Sequence, residues 1–313
     1  MSRRCVLVRY GEIGTKSRIT FRNFMKKLLK NIEESLNVNN ISYDRIVNPK
    51  GRIIVYTENL DSSINIIKRV FGVQSLSSAI RTDINLKEIS KSSLDLFNDL
   101  KDSNSKFRVS TKRLSKDLEM DSMEISRKIG SYILDKGNGN PKVDLEDYDI
   151  EINIEIFNDK AFIFSKTMDG YGGLPIGSQG EVIALISGED SALAAWLMMK
   201  RGCKVHPVHF ETDVFSDGVE DLMGVLDKFS YGSEFDPDYI SFNKEKEDVN
   251  ILIKEFKREN FYKPLIQMKM VQKADELVEK RNSIGMVMGN TLESQKDLKI
   301  IRMNNKVSNS SIF

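Results

Sequence analysis

A glycine-rich segment divides the sequence into two parts that have different hydrophobic patterns. It reads Gly-Tyr-Gly-Gly-Leu-Pro-Ile-Gly over residues 170–177, and this density of Gly and Pro is typical of a linker. Before it, short strand patterns alternate with helical patterns. After it, residues 181–186 form a nearly continuous apolar run, which is typical of a parallel strand covered on both faces. The sequence therefore predicts at least two domains, the last of them built on an open parallel sheet.

The part before the linker contains two α+β patterns in succession. The first 80 residues follow the order β-α-β-α-β, which fits a small ferredoxin-like sandwich. A second set follows, with a cation-bearing strand over 107–113, a helix over 120–134 and a strictly alternating strand over 150–156. We interpret the acidic run at 144–159 as the solvent face of that strand. The predicted boundaries are 1–75 and 76–168 for these two domains, 169–180 for the linker and 181–313 for the last domain.

The formal net charge of +1 hides a strongly uneven distribution. Residues 1–60 carry twelve Lys/Arg against five Asp/Glu, and residues 101–136 carry nine against six, whereas residues 209–248 carry three against twelve. Basic regions of this kind are typical of nucleic-acid-binding surfaces. A set of solvated faces explains the same counts equally well.

The two cysteines limit the chemistry that the chain can carry. Two are too few for a disulfide scaffold or a four-Cys zinc site, and both Cys5 and Cys203 are expected to be small buried core residues. The sequence contains no apolar run long enough to predict a membrane-spanning helix, and residues 1–10 show no secretory signal. These features favour a cytoplasmic protein without a membrane partner.

The turn Ser187-Gly188-Glu189-Asp190-Ser191 lies between the buried strand and the next helix pattern. Ligands of open parallel sheets bind beyond the carboxyl ends of the strands, and a helix N-terminus there attracts anions. The small residues Ser and Gly let a phosphate approach the backbone. The alternative is an ordinary helix cap, because small polar residues cap many helices.

Several stretches resemble the tRNA 4-thiouridine synthetase family, some of whose members also act in thiamine biosynthesis. The stretches after the linker are 173–180, 185–191, 194–203 and 208–210. Upstream, residues 107–113, 124–130 and 143–145 resemble a THUMP domain, which is an RNA-binding module, and residues 9–17 with Phe21 resemble the family's N-terminal ferredoxin-like domain. The resemblance covers nearly the whole chain and weakens after about residue 215.

The resemblance implies a C-terminal Rossmann-like pyrophosphatase-loop domain that uses ATP and Mg²⁺. In this chemistry a tRNA uridine carbonyl oxygen is adenylated, and a sulfur donor then displaces AMP. The implied ATP-binding residues are Ser187, Gly188, Asp190, Ser191, His209, Phe210, Lys269, Gly289 and Gln295, and Asp190 is also the implied metal ligand. The implied RNA-binding residues are Arg108, Lys112 and Arg113. The implied partners are tRNA, an external sulfur donor and a second copy of the chain, whereas no catalytic residue is implied.

Three departures from the family pattern leave other functions open. The family's loop reads Ser-Gly-Gly-x-Asp-Ser, whereas here it is one residue shorter and contains Glu189. Residues 262–270 lack a Cys-x-x-Cys, so no iron–sulfur cluster is expected, and residues 288–295 match a nucleotide-contacting motif only with a small deletion. We therefore expect a truncated and divergent adenylating domain. The alternatives are a tRNA-binding paralogue with an inactive adenylating domain, or a small-molecule adenylating enzyme without an RNA substrate.

Overall fold

The structure, a computed structural model, describes residues 3–49, 51–114, 120–212, 218–257, 259–289 and 295–313, the side chains of 295–298 and 300 excepted. The chain forms two compact units. The first comprises residues 1–14, 35–68 and 73–171, and the second comprises 15–34, 69–72 and 172–313. The N-terminal region thus contributes to both units. The predicted domain boundaries at 75/76 and 168/169 remain predictions.

In the described part of the first unit, nine strands form one sheet in the order β2-β3-β1-β4-β8-β7-β5-β6, with β9 paired to β4. The strands are β1 (Arg4–Tyr10), β2 (Arg45–Val47), β3 (Ile53–Tyr56), β4 (Val73–Asp83), β5 (Lys106–Arg113), β6 (Lys142–Val143), β7 (Ile150–Phe157), β8 (Lys160–Phe164) and β9 (Met168–Asp169). Strand β5 is parallel to β6 and β7, and the other pairs are antiparallel. The helices are the C-terminal end of α1 (Arg18–Val38), α2 (Leu60–Ile67), α3 (Leu86–Leu100) and α4 (Ser122–Lys136), and a short 3₁₀ helix spans Glu12–Thr15.

Strand β7 shows why the two faces of this sheet differ. Its alternation, which the sequence predicts, places Ile152 and Ile154 in a core shared with α3 and α4. The opposite face is covered as well, because Cys5, Phe162 and other apolar residues form a second core there. Glu155 lies on this second face and is only 5% exposed. The interpretation of the acidic run as a solvent face is therefore wrong for Glu155.

Buried Glu155 is held by two arginines. Arg9 Nε and Nη2 donate to its Oε1 at 3.0 and 2.9 Å, and Arg52 Nε donates to Oε2 at 2.8 Å. Burial opposes ionisation of this carboxyl, yet the hydrogen bonds and charges of Arg52 and Arg9 together lower its pKa. These charged groups link strand β7 to β1 and to the residue just before β3, so they connect all three sequence segments of the unit.

In the described part of the second unit, a four-stranded sheet has the order β12-β11-β10-β13, and every pair is parallel. Its elements are β10 (Glu181–Leu185), α5 (Glu189–Lys200), β11 (Lys204–Glu211), α6 (Val219–Asp227), β12 (Asp238–Ser241), α7 (Asn243–Phe256), a 3₁₀ helix (Glu259–Phe261), α8 (Tyr262–Arg281), β13 (Met286–Val287) and α9 (Gln295–Val307). Residues of α5 and α6 pack on one face, and residues of α7 and α8 pack on the other. The predicted parallel sheet with a buried first strand is confirmed. Among the helices that the structure describes, none has the length and apolarity needed to cross a membrane.

Candidate functional site

The predicted loop lies at the carboxyl-terminal edge of the parallel sheet. Strand β10 ends at Leu185, and α5 begins at Glu189, so residues 186–188 connect the strand to the helix at this edge and residues 189–191 form the first turn of the helix. Strands β11 and β13 are parallel to β10, and their carboxyl ends therefore meet the same edge. This is where open parallel sheets bind their ligands.

Ser191 closes the loop with its side chain. Its Oγ accepts hydrogen bonds from the N–H groups of Ser187 (2.8 Å) and Gly188 (3.1 Å) and donates one to the Gly188 carbonyl oxygen (2.7 Å). The next N–H groups, those of Glu189 to Ser191, belong to the first turn of α5, where a helix supplies no backbone acceptor of its own. The positive end of the helix dipole adds to their attraction for an anion. The N–H groups of the first turn of α5 are therefore the ones that the loop can offer to an anion. The N–H groups of Ser187 and Gly188 already donate to the Ser191 hydroxyl.

Two glycines leave room around this helix turn. A β-carbon built on Gly188 would meet no atom within 4 Å, so the backbone at the rim of the loop is open. A β-carbon built on Gly289, beyond the end of β13, would lie 2.2 Å from the Ser191 nitrogen. Only a residue without a β-carbon fits there. The structure thus brings together Gly289, Asp190 and Ser191, which the sequence predicts for one site, and the side chains of Glu189 and Asp190 are exposed at its rim.

His209 lies on the next strand and extends the site. Its Nδ1 is 2.8 Å from the Ile186 carbonyl oxygen, and its ring meets the Tyr239 ring edge to face at 6.1 Å between centroids. Both rings line a cavity of about 560 Å³. Thr212 lines it too, is only 6% exposed, and its Oγ1 has no hydrogen-bond partner among the described residues. A ligand with hydrogen-bonding groups and a flat apolar face suits such a cavity.

The side chain of Phe210 lies in the core, away from the cavity beside His209. It is fully buried and packs against Phe242 with 5.0 Å between ring centroids, in the core that contains α8. Side chains alternate along a strand, so His209 and Phe210 point to opposite faces of the sheet. Any contact of Phe210 with a ligand would therefore come from its backbone. Tyr239 and Thr212 were not predicted, because β12 is short and Thr212 lies two residues beyond the end of the recognised stretch 208–210.

Two predicted ATP-binding residues are not joined to this cluster by any described contact. Lys269 lies half-buried on α8, whose neighbouring residues Ile266 and Met270 pack into the core beneath the sheet. Gln295 begins α9, but its side chain lies outside the described residues, as do residues 290–294 of the same motif. The roles of Lys269 and Gln295 remain predictions.

The predicted RNA-binding residues lie on β5, and the structure distinguishes them. Arg108 is engaged within its own unit, since its Nε donates to Glu151 Oε1 at 2.8 Å and its guanidinium stacks over Tyr148 at 4.1 Å from the ring centroid. Arg113 Nη1 donates to the carbonyl oxygen of Met120. Lys112 is exposed. Of these three residues, Lys112 has the exposed side chain, and its charge therefore faces solvent.

An open groove runs beside this strand, between β5, β6 and α4. It encloses about 740 Å³ and is lined by apolar residues such as Val143 and Leu145, by hydroxyl groups such as those of Ser110 and Ser126, and by Arg127. Leu145 is 67% exposed and Val143 is 47% exposed. Exposed apolar surface beside hydroxyl groups and a guanidinium suits unstacked bases and their edges.

Neither cysteine is placed to act as a nucleophile. Both are buried, as the sequence predicts. Burial raises the pKa of the Cys5 thiol to about 12 and also raises that of Cys203, although nearby Arg201 opposes the second shift. The thiolate is the reactive form of cysteine. Among the described residues, no group of His, Cys, Asp and Glu is arranged to hold a metal ion.

Comparisons with known proteins match this architecture along the chain. Family models match at residues 5–77 (ThiI ferredoxin-like domain), 84–166 (THUMP domain) and 177–313 (thiamine biosynthesis protein ThiI). A probable tRNA sulfurtransferase of Thermococcus kodakarensis is 39% identical over 293 residues, which cover 92% of this chain and 76% of the relative. The chain belongs to the tRNA sulfurtransferase family.

Solved structures agree with this membership. A crystal structure of a Pyrococcus horikoshii protein has a TM-score of 0.79 and 34% identity, and the match covers 99% of this chain and 93% of that one. A 4-thiouridine synthetase solved as an RNA complex with bound ATP has a TM-score of 0.81 and 25% identity, covering 99% and 80%. The expected fold, with ferredoxin-like, THUMP and Rossmann-like parts, is confirmed.

Proposed function

We propose that this chain is an ATP-dependent tRNA sulfurtransferase that adenylates a uridine of tRNA and receives sulfur from an external donor. The observation that carries the proposal is the close packing of Gly289 on Asp190 and Ser191 at the start of α5. It brings two separate parts of the predicted nucleotide site together at the edge where parallel sheets bind ligands. Membership of the tRNA sulfurtransferase family supports the same function.

The residues at this edge fit ATP in two respects. The open backbone at Gly188 and the first turn of α5 would receive the phosphates, because phosphate oxygens need close approach and N–H donors. The cavity beside His209 and Tyr239 would receive the nucleoside, and the Thr212 hydroxyl, which has no hydrogen-bond partner in the described part of the chain, would supply one polar contact inside it. Asp190, exposed at the rim, would hold the Mg²⁺ that accompanies the phosphates.

The chemistry follows from the groups at the edge. A uridine carbonyl oxygen is a poor leaving group, and transfer of AMP to it, with release of pyrophosphate, makes it a good one. Negative charge develops on the departing pyrophosphate, so the N–H groups and dipole of α5 would stabilise it where it forms. Sulfide-level sulfur from the donor then attacks the activated carbon, and AMP leaves with the former carbonyl oxygen, so the step needs no oxidant or reductant.

The source of sulfur in this proposal is a separate donor. Cys5 and Cys203 are buried and their raised pKa values keep the thiols protonated near neutral pH. A persulfide carrier needs an accessible thiolate. The donor would therefore deliver its sulfur to the adenylated uridine directly.

RNA binding is proposed for the THUMP part of the chain. Exposed Lys112 would contact a phosphate, and the groove between β5, β6 and α4 would take unpaired bases. A homodimer, which gel filtration would detect, and a cytoplasmic location are further proposals that come from the family.

A second candidate is a tRNA-binding paralogue whose adenylating domain has lost turnover. The observation that favours it is the loop itself, because Ser191 Oγ occupies the N–H groups of Ser187 and Gly188, and Glu189 adds a negative charge at the rim. For ATP to bind, the gain at the helix turn must exceed the repulsion from Glu189.

Titration calorimetry with ATP and Mg²⁺ separates the two candidates. The sulfurtransferase binds ATP, and in the presence of tRNA and a sulfide source it releases pyrophosphate and yields thiolated tRNA detectable by mass spectrometry. Folded protein that binds tRNA without measurable ATP affinity would establish the paralogue instead. ATP binding and turnover without any effect of tRNA would favour a small-molecule adenylating enzyme.

A further inference from the structure

Helix α1 displays a regular row of cations on its surface. Arg18, Arg22, Lys26 and Lys30 are four residues apart and all are exposed. Residues that far apart lie on one side of a helix, and a rise of about 1.5 Å per residue puts successive members about 6 Å apart along the axis. The row, which we call the α1 row, is therefore about 18 Å long at the same rise per residue.

The rest of the helix holds this row in place. The inward face is buried, with exposures between 0% and 8% at Phe24, Met25, Leu28 and Ile32. Asn31 Nδ2 donates to the Ile176 carbonyl oxygen at 3.2 Å, and Glu34 Oε1 accepts from the Gly232 N–H at 3.1 Å. All of these residues belong to the second unit, which also carries the loop at 187–191. The cations are therefore presented on a fixed surface.

The charge of the row is not neutralised locally. Residues 16–30 contain six Lys/Arg and no Asp/Glu, and none of the four members forms an ion pair with the residues that the structure describes. Like charges at this spacing destabilise a helix. A linear polyanion lying along the row would remove that repulsion, and a phosphodiester backbone is one.

We propose that the α1 row binds the phosphodiester backbone of tRNA, so that the second unit makes RNA contacts of its own. The inference rests on the proposed function, because it takes tRNA as the substrate. The candidate THUMP contacts belong to the first unit, whereas the loop belongs to the second. Phosphate contacts fix the position of a nucleic acid, so cations on the second unit hold the RNA on the body that performs the chemistry.

An anionic membrane is a poorer partner for this helix. A helix that lies in a membrane interface buries its apolar face among the lipids. Here that face is already occupied by the core, with Leu28 and Ile32 fully buried. The α1 row can contact a polyanion only through charge and hydrogen bonds, as in recognition of a nucleic-acid backbone.

The test replaces all four members, as Arg18→Gln, Arg22→Gln, Lys26→Gln and Lys30→Gln, and measures binding of bulk tRNA by fluorescence anisotropy across a salt series. Four lost phosphate contacts should lower the steepness of log affinity against log salt by roughly 3 and weaken binding at least about tenfold near 0.1 M salt. Circular dichroism and thermal melting should show that the fold is unchanged, because all four side chains are exposed.

Two control proteins make the result specific. Lys228→Gln, Lys244→Gln, Lys254→Gln and Lys280→Gln together remove the same charge from exposed positions of the same unit, and this protein should bind tRNA nearly as the wild type does. Exchanging Arg for Lys and Lys for Arg within the α1 row keeps the charge and should retain binding. Equal weakening in the α1 and control proteins would mean that only net charge matters, and the proposal would be wrong.

The outcomes also separate this proposal from the proposed function. Thiolated tRNA from the wild type, together with unchanged tRNA binding by the α1 variant, would overturn the α1 row alone. Loss of tRNA binding in the α1 variant, with no thiolation by the wild type, would overturn the enzyme and keep the row. Wild-type protein that binds vesicles of anionic lipid through the row but does not bind tRNA would overturn both.

Discussion

Gly289 packs backbone to backbone against Ser191, with only 2.2 Å between the position of an added β-carbon and the Ser191 nitrogen. Ser191 in turn closes the loop through hydrogen bonds with Ser187 and Gly188. The segment after β13 therefore packs directly against the backbone at the start of α5. A change at Gly289 must move either the loop or the segment itself.

Gly289→Ala should weaken both the fold and the candidate ATP site. The methyl group cannot fit against the Ser191 backbone, and overpacking of this kind costs about 1–3 kcal/mol of unfolding free energy. We expect a lower melting temperature and at least a tenfold loss of ATP affinity by calorimetry. Gly224→Ala is the control, because a β-carbon at that position in α6 would meet nothing within 4 Å. A Gly289→Ala protein with wild-type ATP affinity would contradict the site.

Gly188→Ala should separate binding from folding. The backbone there is extended, with φ of 162°, and a β-carbon would meet nothing within 4 Å. Alanine is therefore tolerated, and the melting temperature should stay close to that of the wild type. The same methyl group would stand at the open rim where a phosphate has to approach, so ATP affinity should fall at least tenfold. Unchanged affinity would show that the phosphates lie elsewhere.

The sequence predicts the elements of the site better than the contacts between them. The apolar run 181–186 and the turn after it predict β10, the loop and the start of α5, because a strand buried on both faces has a distinctive pattern. Nothing local indicates that Gly289 touches Ser191. That contact depends on the pairing of β13 with β10, and β13 is only two residues long.

Glu155 shows a second limit of sequence interpretation. The alternation of β7 indicates which residues share a face, but it does not indicate whether that face meets water or a second core. The second core is built from strands distant in sequence, with Cys5 and Phe162 among its members. Phe210 is similar, since its motif indicates the ligand edge while its side chain fills the core against Phe242.

Glu155→Gln should destabilise the first unit and change its response to acid. The guanidiniums of Arg9 and Arg52, whose side chains are only 14% and 13% exposed, would lose their counter-charge, and removing one partner of a buried ion pair costs about 3–5 kcal/mol. The pKa of Glu155 is lowered in the folded state, so its contribution is present above the ordinary glutamate pKa and is lost as the pH falls through the lowered value. The free energy of unfolding of the variant should therefore lack that part of the decrease in acid.

Urea unfolding between pH 3 and pH 7 measures this effect. The matched control is Glu151→Gln, whose carboxylate pairs with Arg108 at a more exposed site, with 23% and 34% of the two side chains exposed. Pairs at such sites contribute about 1 kcal/mol or less. Equal losses in the two variants, or an unchanged acid profile in Glu155→Gln, would mean that the buried charges do not stabilise the unit.

Lys112→Gln should weaken RNA binding, whereas Arg108→Gln should lower stability. Lys112 is exposed, so its loss should weaken tRNA binding severalfold and reduce the salt slope by about 0.7–0.9, the value for one phosphate contact. Arg108 pairs with Glu151 and stacks on Tyr148, so its loss should lower the melting temperature and leave the salt slope unchanged. Anisotropy titrations and melting curves of both proteins test this, and a slope change confined to Arg108→Gln would reverse the assignment.

Glu189 and Asp190 should have opposite effects on ATP, although both are exposed carboxylates in the first turn of α5. Glu189 departs from the family's loop pattern and repels the phosphates, and since it faces water the repulsion is weak. We therefore expect Glu189→Gln to tighten ATP binding roughly two- to fivefold. Asp190→Asn should weaken ATP binding mainly when Mg²⁺ is present, because an amide is a poorer ligand for this ion. Calorimetry with and without Mg²⁺ distinguishes the two, and a greater loss of affinity in Glu189→Gln would mean that Glu189, rather than Asp190, is the metal ligand.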